Sequence, residues 1–221
     1  MPPFLAVTFD LDGLMFNTED VYGQVGTELL RRRGHTFTSE LSDAMMGRPP
    51  QAAFEAMIRR HSLPDDWQQL KAESEALFAG LLDEHLIPMP GLLELLDALE
   101  AAGIPKAICT CSGRPGADDV LSRFAMPPRF QFTLTAEDIT HGKPHPEIYL
   151  QAVRRFGIRP QQMLVLEDSQ TGCRSGAAAG AFVVAVPVEH SRDQDFSIAS
   201  LVIESLADPR LYEVLGIGDR G

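Results

Sequence analysis

The chain has 221 residues, 44% hydrophobic and 23% charged, proportions that exclude a disordered, collagenous or disulfide-stapled protein. Nineteen Lys and Arg face 31 Asp and Glu, a formal net charge of −12, so no nucleic-acid partner is expected, because such a partner needs a basic footprint. No membrane partner is expected either, since no run reaches the ~18 apolar residues of a span.

The length corresponds to one domain with a large insertion or to two unequal domains. Cys109, Cys111 and Cys173 are too few for a disulfide framework and lack the spacing of a zinc site. Cys109 and Cys111 read as small apolar residues in and just after a strand. The first residues show no basic start followed by a long apolar stretch. A soluble, cytoplasmic chain is therefore expected, acting as a monomer because no coiled coil or apolar helix face demands a partner.

The first element is a β-rich apolar run at residues 4–9 that ends at Asp10. It reads as a buried strand with polar chemistry at its C-terminal end. From Glu19 to Leu86 no strand pattern follows, only helical spacing. Val21, Val25 and Leu29 share one face, as do Phe54, Met57 and Ile58, and Trp67, Leu70, Leu77 and Leu81 share a third. Breaks at Gly34, at Gly47-Arg48-Pro49-Pro50 and at Leu63-Pro64 divide the stretch into four helices. The Arg31-Arg32-Arg33 run reads as one exposed helix end. The insertion leaves through the Pro-rich residues 87–91, which together with residues 17–20 suit a pair of hinges.

Strands are then expected at 106–110, 130–134, 163–166, 182–186 and, more weakly, 201–203. Helices fall between them. Leu92, Leu95, Leu96 and Leu99 form one stripe that stops near Gly103; Val120, Leu121 and Phe124 mark a second; Ile148, Ala152, Val153 and Phe156 mark a third that ends near Gly157. Alternating strands and helices specify an α/β fold, a parallel-sheet core covered by helices on both faces, with ligands at the C-terminal strand ends. Residues 1–17 and 88–221 would form that core, and 18–87 an inserted four-helix domain.

Four strand ends carry the chemistry. Asp10 and Asp12 flank a backbone free to expose a carbonyl, with Gly13 allowing a sharp turn. Thr110, Ser112, Gly113 and Arg114 end a strand and open a helix whose first amides could receive a phosphate. Lys143 sits in a constrained turn, His141-Gly142-Lys143-Pro144, and Glu167-Asp168 follow another strand. At one sheet edge these residues supply several carboxylates, a hydroxyl and an ammonium. Hard oxygen ligands in that number suit Mg²⁺ with a substrate phosphate in its shell. An Asp can serve as a nucleophile toward phosphorus, and Lys143 can neutralise the transferring group. Gly172, Gly176 and Gly180 read as a helix packed closely on the sheet, not as a nucleotide loop. His141 and His145 read as surface turn histidines.

In this order and context the motifs resemble the haloacid dehalogenase superfamily, in the branch with a helical cap after the first motif. The likeness covers about residues 4–188. It implies a Rossmann-like core, Asp10 as nucleophile, Asp12 as general acid/base, Thr110 as the phosphate-binding hydroxyl and Lys143 as the paired lysine. It also implies a Mg²⁺ held by Asp10, the Asp12 carbonyl, Glu167 and Asp168. Dehalogenases in the superfamily lack the second carboxylate, so Asp12 favours phosphoryl transfer to or from a small phosphorylated metabolite. Arg48 resembles a cap-loop arginine that faces substrate, where a fork of donors suits phosphate.

Among capped relatives the sequence is similar to small sugar-phosphate phosphatases and to β-phosphoglucomutase. Tyr22 stands where the mutase has a histidine, and Gly113, followed by Arg114, stands where it has a lysine. Both changes weaken the hold on a second phosphate, so hydrolysis is expected. A mutase is the alternative, and a non-catalytic phosphometabolite sensor a third reading that the complete motif set disfavours.

Overall fold

The apolar tetrad β1 (Ala6–Phe9) is buried along its whole length. The computed structural model describes residues 3–45 and 50–217, and Cα packing divides the chain into two units, residues 1–17 with 87–221 and residues 18–86. The second boundary lies one residue earlier than the Pro-rich connector suggested.

The unit at 18–86 is built from α1 (Thr18–Arg31), α2 (Ser39–Met45), α3 (Pro50–His61) and α4 (Trp67–His85). Leu30, Leu41, Met57, Leu63 and Leu70 form its core. Each of these side chains contributes about 1.5–3 kcal/mol by leaving water. Asp66 and Gln69 close a capping box at the start of α4, which satisfies amides that the first turn would otherwise leave open. The buried residues of α4 are Leu70, Phe78 and Leu82, not the expected stripe through Leu77 and Leu81. The stripe rotates because the beginning of α4 packs into the core with α2 and α3, whereas Phe78 stacks on Tyr22 of α1 with ring centroids 4.3 Å apart. The run Arg31-Arg32-Arg33 lies at the end of α1, with Arg31 and Arg32 exposed and Arg33 turned inward.

The larger unit continues with α5 (Leu92–Ala101), β2 (Lys106–Cys109), α6 (Arg114–Ser122), β3 (Thr133–Leu134), α7 (Glu147–Phe156), β4 (Met163–Glu167), α8 (Gln170–Ala178), β5 (Phe182–Ala185), β6 (Leu201–Val202) and α9 (Pro209–Leu215). The expected leucine stripe of α5, Leu92, Leu95, Leu96 and Leu99, is buried. All six strands run parallel in the order β3-β2-β1-β4-β5-β6. β3 is shorter than the apolar run implied: Pro127–Arg129 form a 3₁₀ turn, and Phe130 packs edge-on against Phe9.

This strand order determines where a ligand can sit. The chain moves outward from β1 to β2 and β3, then returns to β4 and moves the other way to β5 and β6. Right-handed crossovers therefore put α5 and α6 on one face and α7 and α8 on the other. The direction reverses between β1 and β4, which opens a crevice at their C-terminal ends. Register places the ends level: Phe9 pairs with Leu166 and with Ile108, and the Asp10 amide donates to the Leu166 carbonyl at 3.1 Å.

Candidate active site

Asp10 leaves β1 at that crevice and is almost wholly buried. Lys143 Nζ reaches it from the turn before α7, donating to Asp10 Oδ1. The same ammonium donates to the Cys109 carbonyl at 2.9 Å and lies 2.6 Å from Glu167 Oε1. Glu167, the last residue of β4, is fully buried and also accepts from the Tyr149 hydroxyl and, at 3.3 Å, from Ser169 Oγ. Oxygens of Asp10, Glu167 and Asp168 lie within 4.8 Å of one another.

Two glycines make room for these carboxylates. Gly13 has φ +78, and a Cβ there would stand 2.4 Å from Asp168 Oδ2. That combination of a left-handed turn and close approach admits only glycine. A Cβ on Gly172, in the first turn of α8, would stand 1.9 Å from Glu167 Oε2. Gly176 meets the sheet itself, with Val183 and Val165 next to where its Cβ would be, as the close-packed helix reading required.

Electrostatics follow from burial and an excess of negative charge. Desolvation pushes the Asp10 carboxyl well above the ordinary carboxylate range; Lys143 opposes the rise, and Glu167 and Asp12 add to it. Burial alone would lower the Lys143 ammonium, but Asp10 and Glu167 outweigh it and hold the lysine well above its usual value. Burial and then Glu167 raise the Tyr149 phenol, which therefore keeps its proton and donates. Lys143 brings one positive charge to a cluster of three carboxylates, Asp10, Glu167 and Asp168, so negative charge is in excess. A dication would supply the missing positive charge, and hard oxygen donors are the donor set that Mg²⁺ takes. The residues fit such an ion.

Asp12, two residues on, is held in place by hydroxyls just past the end of β2: its Oδ2 accepts from Ser112 Oγ at 2.5 Å and from Thr110 Oγ1 at 3.2 Å. Thr110 Oγ1 in turn accepts the Ser112 amide at 2.9 Å. Asp10, Asp12, Thr110, Ser112, Lys143, Glu167 and Asp168 thus fall into one contact network or its immediate neighbourhood. Arg114 does not join them. Its guanidinium donates to Asp138 Oδ2 at 2.6 Å, while its amide donates to Glu137 Oε2 at 2.9 Å. Gly113, at the α6 cap, faces the same Glu137 carboxylate. The α6 N-terminus expected to receive a phosphate is thus already capped by an internal acid. Arg48 lies outside the described residues. Cys109 is buried as expected, whereas Cys111 is exposed.

Sequence reasoning missed Tyr149 and Ser169. Tyr149 lies beside Ile148 in the apolar stripe of α7, where it reads as core. Ser169, one residue beyond the acidic pair, is the N-cap of α8, accepting the Gly172 amide; a Ser between an acidic pair and a helix was the available signal.

The chain is 31% identical over 206 residues to a bifunctional riboflavin kinase/FMN phosphatase of Arabidopsis thaliana, covering 93% of this chain but only 54% of that protein. It is 29% identical over 179 residues to a phosphorylated carbohydrates phosphatase of Thermotoga maritima, covering 79% of this chain and 81% of that one. Among solved structures, a HAD family hydrolase of Deinococcus radiodurans with bound phosphate and sodium superposes with a TM-score of 0.80 at 29% identity, covering 100% of both chains. Residues 7–186 match the haloacid dehalogenase-like hydrolase family, and with the sheet order, the buried Asp10–Lys143 pair and the acidic cluster around it, the chain belongs to that family.

Proposed function

We propose that the protein is a phosphatase of small phosphorylated metabolites, sugar phosphates foremost, working through a phosphorylated Asp10. The observation that carries this reading is the Lys143 bridge between Asp10 and Glu167 at the β1/β4 crevice, with Asp168 alongside. A buried carboxylate paired to a lysine at this place can attack phosphorus while the ammonium offsets the charge of the transferring group. Phosphatase relatives and a phosphate-bound neighbour agree with it.

In the first step an Asp10 oxygen forms a bond to phosphorus, the bond from phosphorus to the substrate oxygen breaks, and Asp12 gives its proton to the leaving alkoxide. In the second, Asp12 takes a proton from water, the water oxygen bonds to phosphorus, and the acyl-phosphate bond breaks to return the Asp10 carboxylate with inorganic phosphate. Thr110 and Ser112 orient Asp12 for both transfers. Tyr149 and Ser169 fix Glu167, which fixes Lys143. Asp10, Asp168 and the Asp12 carbonyl, with Glu167 beside them, would hold a Mg²⁺ that draws charge from the phosphoryl oxygens.

Turnover of p-nitrophenyl phosphate should vanish with EDTA and return with Mg²⁺; full activity in a metal-free preparation would contradict the metal assignment. With β-glucose 1-phosphate, ³¹P NMR should show inorganic phosphate. Glucose 6-phosphate formed without it would replace hydrolysis by the mutase reading.

A further inference from the structure

The turn that delivers Lys143 also carries two histidines, His141 and His145. Lys143 is buried, whereas His141 and His145 on either side of it are exposed. Nδ1 of His141 lies 3.1 Å, and Nδ1 of His145 3.9 Å, from the same atom, Glu147 Oε2 in the first turn of α7. The two rings have centroids 4.6 Å apart, and one ligand atom from each of the three residues lies within 4.8 Å of the other two.

The two distances to Glu147 bracket the ligand spacing of a tetrahedral ion. An ion with tetrahedral bonds of ~2.0–2.1 Å separates its ligand atoms by about 3.3 Å, between the two distances to Glu147. The carboxylate is already oriented, since Oε1 accepts the Thr140 amide and Oε2 the His141 amide, each at 2.9 Å. Outer hydrogen bonds of this kind hold metal-ligating carboxylates in place. The turn is anchored as well. The His145 amide donates to the Gly142 carbonyl at 3.0 Å, and the buried Ser175 hydroxyl donates to the His145 carbonyl at 2.7 Å. Two imidazoles with one carboxylate select borderline-soft dications, whereas Mg²⁺ prefers an all-oxygen set such as Asp10 and Asp168.

We propose that His141, His145 and Glu147 form a second metal site, separate from the acidic cluster, that takes a transition-metal dication of the zinc class with water completing its shell. The test is calorimetric titration of zinc chloride into the untagged, full-length chain saturated with Mg²⁺. One zinc ion should bind per chain. His141→Asn and His145→Asn should each weaken that event by on the order of tenfold or more, and the double variant should abolish it. In the unaltered protein, zinc should shift the imidazole NMR signals of these two histidines, a readout that needs no variant to fold. Zinc binding unchanged in the double variant, binding lost in Asp168→Ala instead, or shifts confined to other residues would overturn the assignment.

Discussion

Two ionic networks, one in each unit, make opposite use of charge. In the helical unit Arg33 donates to both carboxylate oxygens of Asp65, at 3.0 and 2.7 Å, and to Glu73 at 2.7 Å, while Arg31 and Arg32 engage Glu28 and Arg32 also reaches Glu73. Three guanidiniums meet three carboxylates, and even the most enclosed, Arg33 and Asp65, stay 18% and 17% exposed. At the β1/β4 crevice Lys143, Asp10 and Glu167 are 7%, 9% and 0% exposed, and one ammonium pairs with two carboxylates while the Asp168 carboxylate lies beside them. Balanced charges near water add modest stability. An unbalanced buried set costs stability unless something else supplies positive charge, which marks a place built for a ligand.

The largest expected effect falls on the unbalanced site. Asp12→Asn removes a proton carrier while keeping the shape that Ser112 and Thr110 grip, so kcat should fall by about 10²–10⁴-fold with little change in the thermal midpoint. An equal loss of stability would make Asp12 structural. Next is Gly172→Ala, whose Cβ would overlap the Glu167 carboxylate. Overpacking should cost about 1–3 kcal/mol in urea unfolding and lower turnover with it, because Glu167 positions Lys143. A neutral result would mean that the carboxylate has room to move.

On the balanced side, Arg33→Ala should destabilise the chain by about 1–3 kcal/mol, because Asp65 and Glu73 lose charge-assisted hydrogen bonds. Unchanged unfolding would reduce the network to surface decoration. The smallest effect is its pH dependence. Hydrogen bonds from Arg33 hold the Asp65 and Glu73 carboxyls below their usual values. Groups depressed in the folded state contribute stability above their unfolded pKa values, near 4, and lose it as pH falls through the folded ones. The urea midpoint should therefore drop more steeply below about pH 4 in the unaltered chain than in Arg33→Ala; parallel curves would contradict the account.

The same contrast explains what was legible in the sequence. Asp10, Asp12, Thr110, Glu167 and Asp168 each end or closely follow a short apolar run, and a parallel sheet must bring such ends together. Lys143, in a turn well beyond β3, rested on the family resemblance, but the fold and the meeting of the other side chains could be read from pattern. Tyr149 could not. Its contact with Glu167 depends on how α7 docks on the sheet, and along the chain it is one more bulky residue in an apolar stripe. The capture of Arg114 by Asp138 likewise joins residues 24 positions apart, a pairing that no pattern local to either residue specifies. In α4 the Leu77/Leu81 and Phe78/Leu82 pairs both fit a helical period, and only the neighbours α1, α2 and α3 decide which is buried.

If Asp10 is held for chemistry at a cost to stability, turnover and thermal unfolding of one preparation of Asp10→Asn should show both. The substitution is nearly isosteric and removes the charge that burial penalises. The account predicts a loss of turnover of about 10⁴-fold or more in a protein whose melting temperature equals or exceeds that of the unaltered chain. Appreciable turnover, or a marked fall in melting temperature, would contradict it.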